Sequence, residues 1–180
     1  QFEQKISNNV DEMTSLVETL LSYARLDQTM VQMNKTSCDL LALVENCIRV
    51  KSSGNKKITL VAPNEDYCVY ADSGYLTILI NNLLENALNY GKDKINIQLK
   101  ALKNSVEMVV EDDGGGIDHK IRASIFKPFV RGTNYQKSIK GHGIGLAIVK
   151  RIIDWHTGSI DISDSETLEG AKFTITLPKR

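Results

Sequence analysis

The chain has 180 residues, of which 42% are apolar and 24% charged, and 22 basic side chains balance 22 acidic ones. This length allows one full domain with an additional element rather than two domains. The zero net charge argues against a nucleic-acid-binding protein, because such proteins usually carry a basic excess or a basic face. The three cysteines form no CxxC pair. We therefore expect buried thiols in a reducing compartment rather than a zinc site or a disulfide framework.

Residues 1–28 are predicted to form one long helix. Apolar residues recur there at alternating spacings of four and three, which is the heptad seam of a helix that packs in a bundle. The seam consists of Ile6, Val10, Met13, Val17, Leu20 and Ala24. Because one helix cannot bury this stripe alone, we expect partner helices from upstream residues or a second chain, or packing against the domain that follows. Residues 29–38 are predicted to be a linker.

Residues 39–180 are predicted to form a single α+β domain. Helices are expected over 39–52, 73–90 and 145–156, and strands over 57–62, 67–71, 94–102, 105–111, 159–163 and 171–177. The stretch 112–145 is predicted to be largely irregular. Because the helices mix with mostly antiparallel strands and no βαβαβ alternation occurs, a two-layer sandwich of helices over a mixed sheet is favoured over a doubly wound fold.

Two asparagines on the predicted helix 73–90 are candidate metal ligands. Asn82 and Asn86 are four residues apart, so they lie on one face of the helix. An amide oxygen is a suitable ligand for Mg²⁺, which often takes its remaining ligands from phosphates and water. Asparagine is also unfavourable inside a helix, so we favour a functional role for this pair over a structural one.

Asp112 lies at the end of a predicted strand. It is followed by Asp113 and then by three consecutive glycines, Gly114–Gly116. Glycines permit unusual backbone conformations and leave room for a ligand. An ionised aspartate is purely an acceptor, so Asp112 is a candidate partner for an exocyclic amine such as that of adenine. The alternative is a plain turn with a solvated acidic pair.

A second glycine-rich stretch leads directly into the predicted helix 145–156. Gly141, Gly143 and Gly145 alternate ahead of it, and the free amides of a helix N-terminus favour phosphate. The stretch is neither a Walker A loop nor a GxGxxG motif, since Leu146 follows the third glycine. It is a weak signal when taken alone.

The segment between the two glycine-rich stretches is predicted to form an anchored loop and a lid. Phe126, Pro128 and Phe129 are expected to anchor this loop against the domain. The polar and basic residues 133–140 are expected to form a mobile lid over a ligand.

These stretches together resemble the N, G1, F and G2 boxes of bacterial sensor histidine kinases. In chain order the motifs are Asn82-x-x-x-Asn86, Asp112-x-Gly114-x-Gly116-Ile117, Phe126-x-Pro128-Phe129 and Gly141-x-Gly143-x-Gly145-Leu146. The N-terminal helix resembles the second helix of the dimerisation and histidine-phosphotransfer bundle of that family. The resemblance covers nearly the whole chain and rests on four motifs in register.

The resemblance implies a Bergerat fold that binds ATP and Mg²⁺. Asn86 would carry the metal, Asn82 and Tyr90 would act beside it in catalysis, and Asp112 would bind the adenine amine. The implied ATP-binding set is Asn82, Asn86, Asn89, Tyr90, Asp112, Gly114, Gly116, Ile117, Phe129, Arg131, Lys140, Gly141, His142, Gly143, Ile144, Gly145 and Leu146.

The implied function is transfer of the γ-phosphoryl group of ATP to a histidine, and from there to an aspartate of a response regulator. No histidine precedes His119, so the acceptor is expected upstream of Gln1. The resemblance further implies a homodimer through the helix bundle of the intact protein. It also implies a cytoplasmic location for this domain within an inner-membrane sensor, and no nucleic-acid partner.

Several residues depart from the family pattern or leave other functions open. Asn89 stands where the family often has a basic residue, and Gly115 where it often has proline, which predicts a looser loop. His156 is interpreted as a cation at a helix end.

An ATPase of the same superfamily would need a glutamate base in the asparagine helix, and Glu85, next to Asn86, is expected to face elsewhere. A degenerate nucleotide-binding or dimerisation module is the third possibility.

Overall fold

The computed structural model describes residues 14, 17, 32–51, 56–63, 65–131 and 142–179. The predicted N-terminal helix lies outside the described residues except for Thr14 and Val17, which are both helical. The elements in chain order are β1 (Thr36–Asp39), α1 (Leu40–Lys51), β2 (Lys57–Val61), β3 (Cys68–Ala71), α2 (Ser73–Tyr90), β4 (Lys94–Ala101), β5 (Ser105–Asp112), α3 (His119–Arg122), α4 (Gly145–Trp155), β6 (Ser159–Asp164) and β7 (Ala171–Pro178).

Five strands form one mixed sheet in the order β2-β4-β5-β7-β6. β2 pairs with β4 in parallel, and the other neighbours are antiparallel. Successive side chains of a strand point to opposite faces, and on β4 the buried positions Ile95, Ile97 and Leu99 alternate with more exposed polar ones. One face of the sheet is therefore apolar and the other is polar.

Helices cover the apolar face, and α2 lies at their centre. It contacts α1, α4 and strand β5. Its buried side is formed by Leu76, Leu79, Ile80, Leu83, Leu84 and Ala87, which recur at the three- and four-residue spacing of an amphipathic helix. The predicted two-layer α+β architecture is thus confirmed.

Residues 34–39 belong to the fold, although they were predicted to lie in or next to a linker. Strand β1 pairs antiparallel with β3, with Thr36 opposite Ala71, and buries the side chain of Cys38. Just before it, the amide of Asn34 donates to Asp72 Oδ2 (2.9 Å) and Lys35 Nζ donates to the carbonyl of Trp155 (2.8 Å). A four-residue polar strand carries no periodic signal, which is why the sequence did not predict it.

Three further expectations concern α1, the thiols and the membrane. The predicted N-cap Asp39 is confirmed, since its Oδ1 accepts from the amides of Leu41 (3.0 Å) and Ala42 (3.3 Å). Cys38 and Cys47 are buried free thiols, and Cys68 is partly exposed. Over the described residues, the structure contains no helix with the length and apolar character that a bilayer span requires.

Candidate nucleotide site

The two asparagines lie on the side of α2 that faces away from the core. Helix α2 begins at an N-cap, Asp72, whose Oδ1 accepts from the amides of Gly74 (3.0 Å) and Tyr75 (3.2 Å). Asn82 and Asn86 are half-buried, while Asn89 and Tyr90 in the last turn are exposed. One side of the helix therefore presents a row of amide groups.

Asn82 faces the beginning of α4. Its Nδ2 donates to the carbonyl of Ile78 (2.8 Å), and a Cβ placed on Gly145 would lie only 2.7 Å from its Oδ1. Glycine at 145 thus lets the asparagine helix and the start of α4 approach closely. The predicted metal-binding face of α2 and the predicted phosphate-binding start of α4 are therefore adjacent.

The first turn of α4 has the features of an anion-binding helix end. No side chain caps it at Ile144, and Gly143 has a positive φ of 71°, a conformation that favours glycine. The carbonyl of Gly143 accepts from the amide of Phe129 (2.8 Å), which ties the two predicted motifs together. Ile144 and Leu146 are buried in the core, so only their backbone groups can face a ligand. His142 is half-buried.

Asp112 is almost completely buried at the end of β5, with 3% of its surface exposed. Its Oδ1 accepts from the amides of Gly114 (2.8 Å) and Ala171 (3.4 Å), and no described residue donates to Oδ2. Burial raises the pKa of this carboxyl, while the two backbone donors oppose the rise. One oxygen is thus fixed by the protein, and the other remains an acceptor for a ligand amine.

The alternative of a solvated acidic pair is wrong for Asp112, and its neighbour has a structural role. The Asp113 carboxylate accepts from the amides of Lys92 (2.7 Å), Asp93 (3.0 Å) and Lys94 (3.0 Å). Desolvation is the largest single influence on the Asp113 carboxyl and raises its pKa, but the backbone donors together outweigh it, so the pKa lies below the ordinary aspartate value. Asp113 therefore holds the turn between α2 and β4.

Three glycines, Gly91, Gly114 and Gly170, surround Asp112 with backbone atoms alone, and we call them the glycine wall. A Cβ on Gly170 would lie 2.1 Å from the Asp112 carbonyl oxygen, and one on Gly114 would lie 2.4 Å from the carbonyl oxygen of Tyr90. At Gly91 the nearest atom would be the carbonyl oxygen of Ala87 at 2.7 Å. Gly91 and Gly170 were not among the predicted site residues, because their role depends on contacts between distant segments.

The segment after Gly114 is attached to the sheet edge through Arg122. Gly116 has a positive φ of 67° and Ile117 is half-buried. The Arg122 side chain donates through Nε to the carbonyl of Ile117 (2.9 Å) and forms an ion pair with Asp164. The one-turn helix α3, which carries Arg122, was not predicted.

The predicted anchoring loop is only partly confirmed. Phe126 packs against the core, but Phe129 is 62% exposed and has a positive φ of 65°. The expectation that both aromatic rings anchor the loop is therefore wrong for Phe129. Arg131 is half-buried. Gly141 and the whole predicted lid, including Lys140, lie outside the described residues.

The cationic interpretation of His156 is wrong. The ring is 1% exposed, its Nε2 accepts from the amide of Asp72 (3.0 Å), and its Nδ1 lies 2.7 Å from the carbonyl of Ile152. This pattern requires a neutral ring with the proton on Nδ1. Burial lowers the pKa of His156. His119 is exposed, as expected.

Glu85 points away from this site. It forms an ion pair with Lys51 at the end of α1. The helix thus turns its one central carboxylate toward α1, while the amide of Asn82 faces α4.

The arrangement fits a purine nucleotide with a magnesium ion. A buried acceptor with one unsatisfied oxygen suits an adenine amine, and the uncapped start of α4 suits phosphates. Over the described residues no three His, Cys, Asp or Glu side chains cluster as metal ligands. An ion held by one asparagine would therefore need phosphate oxygens and water as its remaining ligands, as Mg²⁺ commonly does.

Comparison with known proteins identifies the family. Residues 71–180 match the family described as "Histidine kinase-, DNA gyrase B-, and HSP90-like ATPase". The chain therefore belongs to that family.

Named relatives narrow the class to sensor kinases. The chain is 32% identical over 178 residues to Sensor protein RstB of Escherichia coli (strain K12), covering 97% of this chain and 41% of RstB. It is 28% identical over 179 residues to the Sensor histidine kinase CpxA of the same strain, covering 97% of this chain and 39% of CpxA. The chain thus spans about two fifths of the length of these relatives.

Solved structures agree with this class. Full-length ShkA in complex with AMPPNP superposes with a TM-score of 0.82 at 25% identity, covering 95% of this chain and 36% of ShkA. The catalytic domain of histidine kinase ThkA superposes with a TM-score of 0.72 at 27% identity, covering 82% of this chain and 97% of that domain. The described fold is therefore the ATP-binding domain of the histidine-kinase type.

Proposed function

We propose that this chain binds ATP with Mg²⁺ and serves as the phosphoryl donor of a sensor histidine kinase. The acceptor is a histidine upstream of this chain, and the phosphoryl group then passes to an aspartate of a response regulator. The observation that carries the proposal is Asp112, a buried carboxylate with one oxygen fixed by backbone amides and the other without a donor among the described residues.

Each part of the site has a separate task in this proposal. Asp112 accepts the adenine amine, and the start of α4 with Gly143 and Gly145 binds the phosphates. Asn86 would hold Mg²⁺, which would neutralise charge on the transferred phosphoryl group, and Asn82 and Tyr90 would complete this part of the site. Because phosphoryl transfer depends mainly on positioning and charge neutralisation, these groups suffice without a side-chain nucleophile. The remaining predicted contacts, including Asn89, Phe129, Arg131 and Lys140, belong to the proposal.

The location and assembly follow from the same proposal. As the resemblance to sensor histidine kinases implies, the domain has a cytoplasmic position within an inner-membrane sensor, and the intact protein is a homodimer formed through the helix bundle. A cognate response regulator is the expected protein partner.

Calorimetry of ATP binding tests the pocket. The wild-type chain is expected to bind ATP saturably, and more tightly with Mg²⁺ than without. Asp112→Asn is expected to weaken binding about tenfold to hundredfold, because a hydrogen bond to a charged group contributes about 1.5–3 kcal/mol. Asp161→Asn, an equal change at an exposed position of β6, is the control and should bind as wild type. Absence of saturable binding by the wild-type chain contradicts the proposal.

A second titration tests the metal. Asn86→Ala is expected to bind ATP with nearly equal affinity in the presence and absence of Mg²⁺, because its amide oxygen is the proposed protein ligand. If the variant keeps the full Mg²⁺ effect, the metal is held elsewhere.

Phosphoryl transfer requires a longer chain. Extension upstream to include the acceptor helix is expected to yield a phosphohistidine when Mg²⁺-ATP is added, and Asp112→Asn in that chain should slow its formation at ATP concentrations below the weakened Kd.

An ATPase that activates water with a glutamate is the competing function. The ion pair between Glu85 and Lys51 speaks against it, since it directs this carboxylate toward α1. Glu85→Gln should therefore leave ATP turnover and binding unchanged. Loss of ATP hydrolysis in this variant would favour the ATPase.

A further inference from the structure

The C-terminal end of α2 does not satisfy its own last carbonyl groups. Its last turn has no basic residue, and the C-cap Gly91 is extended, with φ −66° and ψ 158°. Gly91 thus lacks the left-handed conformation that usually lets the following amides bond back to the helix. The amide of Gly91 itself donates one hydrogen bond back into the helix, to the carbonyl of Ala87. Helix ends need other partners for the remaining carbonyls.

Lys56, from another part of the chain, supplies a partner for one of these carbonyls and for the carbonyl of the cap residue. Its Nζ donates to the carbonyl oxygens of Leu88 and Gly91, both at 2.5 Å. Lys56 immediately precedes β2, and the amide of Lys57 bonds to the carbonyl of Asp93 (2.8 Å). An ammonium group at a helix C-terminus also interacts favourably with the helix dipole. The parallel edge strand therefore brings a cation to the end of the asparagine helix.

The same turn touches Asp112 on its other side. A Cβ on Gly91 would lie 3.2 Å from the Asp112 Cβ, and Asp113 accepts from the three amides that follow Gly91. The positive charge of Lys56 also opposes the burial that raises the pKa of Asp112. One lysine thus contacts the end of α2 and acts electrostatically on the buried carboxylate.

We propose that Lys56 is a positioning residue of the nucleotide site, which fixes the last turn of α2 against Asp112. That turn carries Asn89 and Tyr90 and directly follows Asn86, so its position sets the distance between the proposed metal and phosphate end of the site and the proposed adenine end. Lys56 acts through the backbone of α2. The inference rests on the proposed ATP-binding function.

The test compares two adjacent lysines in the 180-residue chain. Lys56→Met removes the ammonium, and Lys57→Met removes an equal charge from an exposed side chain one residue away. ATP affinity in the presence of Mg²⁺ is measured by calorimetry at a temperature where circular dichroism shows both variants to be folded. Lys56→Met is expected to bind about tenfold more weakly, the effect of losing charge-assisted hydrogen bonds. Lys57→Met should bind as wild type, and Lys56→Arg should recover most of the loss.

The pH profile of ATP binding separates positioning from a merely structural role. The groups that act on Asp112 are Lys56, the Asp113 carboxylate, and the amides of Gly114 and Ala171. Without the Lys56 charge, the Asp112 carboxylate takes up a proton at higher pH, so the acid limb of binding in Lys56→Met should move to higher pH. A lysine that only stabilises the fold would lower the melting temperature and leave this limb in place.

The outcomes distinguish this inference from the proposed function. If wild type binds ATP and folded Lys56→Met has the same affinity and acid limb, the role of Lys56 is refuted while the proposed function stands. If wild type does not bind, the proposed function fails and this inference with it. If Lys56→Met does not fold, Lys56→Gln takes its place, since it keeps an N–H donor without the charge. Wild-type affinity with an unshifted acid limb in Lys56→Gln overturns the proposal.

Discussion

Asp112 and Asp113 are adjacent and chemically identical, yet the fold gives them different environments. Asp112 ends a central strand and points into the apolar layer, whereas Asp113 turns toward three backbone amides of the α2–β4 turn. β5 ends at Asp112, so Asp112 keeps the inward direction of the strand while Asp113 belongs to the bend after it and reaches the amides of the α2–β4 turn. The sequence singled out Asp112 as an acceptor for a ligand amine, which stays a prediction, but it could not show what the neighbouring Asp113 does.

Glycine substitutions around Asp112 should differ according to the space that each Cβ meets. Gly170→Ala places a Cβ 2.1 Å from a backbone oxygen, so the backbone must shift, at a cost of about 1–3 kcal/mol, and ATP affinity should fall. Gly115→Ala meets no atom within 4 Å and has no positive φ. It should leave stability unchanged or raise it by about 0.4–1 kcal/mol, because alanine restricts the unfolded chain.

Urea unfolding and ATP titration of both glycine variants check this expectation. Equal loss of stability in the two variants would show that the close contacts at Gly170 do not matter.

His156 predicts a pH dependence of stability. Its pKa in the folded protein is lowered by burial, so below the ordinary histidine value of about 6.5 the unfolded chain binds a proton that the folded chain does not. The free energy of unfolding should therefore be highest above that pH and fall as the pH drops from it toward the folded-state pKa. His156→Gln should be less stable at neutral pH and should lose this part of the pH dependence. His119→Gln, at an exposed position, should keep it.

Urea titrations at pH 7.5 and 5.5, chosen to lie on either side of about 6.5, measure the effect. An unchanged pH dependence in His156→Gln would show that another group is responsible.

At the scale of elements, the three long helices and all strands of the five-stranded sheet could be predicted from the sequence, whereas the short elements β1 and α3 could not. The apolar periodicity and the polar flanks predicted α2 over 73–90, which are its observed bounds. β1 and α3 have four residues each, too few for a periodic pattern. The parallel pairing of β2 with β4, the approach of Gly170 to Asp112 and the reach of Lys56 to α2 depend on tertiary contacts. The candidate site could therefore be identified from motifs, but its supporting residues could not.

The N-cap of α2 should contribute measurably to stability. Asp72 uses Oδ1 to accept from two amides of the first turn and Oδ2 to accept from Asn34. Loss of a helix N-cap costs about 1 kcal/mol, so Asp72→Ala should lower the free energy of unfolding by at least about that amount. Asp72→Asn retains one acceptor oxygen and should lose less. Chemical denaturation of both variants is the measurement, and equal losses would argue against the cap.

For the whole molecule, the segment before β1 fastens two helices at the ends opposite the nucleotide site. Asn34 bonds to the N-cap of α2, and Lys35 bonds to the last residue of α4. β1 then adds the buried Cys38 and a second, two-stranded sheet. The described fold thus includes residues 34–39, ahead of the boundary at 39 that the sequence predicted.

Shortened chains should reveal this boundary. A chain that begins at Gln32 keeps β1 and both contacts, and its melting temperature should be higher by several degrees than that of a chain beginning at Leu40, since about 1 kcal/mol shifts it by roughly 2–8 °C in domains of this size. Differential scanning calorimetry of the two chains decides the question. Equal melting temperatures would mean that residues 32–39 do not stabilise the domain, as expected of a linker.

The glycine wall around Asp112 also bears on inhibition. Gly91, Gly114 and Gly170 approach backbone atoms so closely that any larger residue must displace the main chain. A compound that competes with ATP by donating to Asp112 and stacking on this wall would contact surfaces that few substitutions can reshape without unfolding the domain. Resistance to such a compound should therefore arise from distant loops or raised expression rather than from the wall itself.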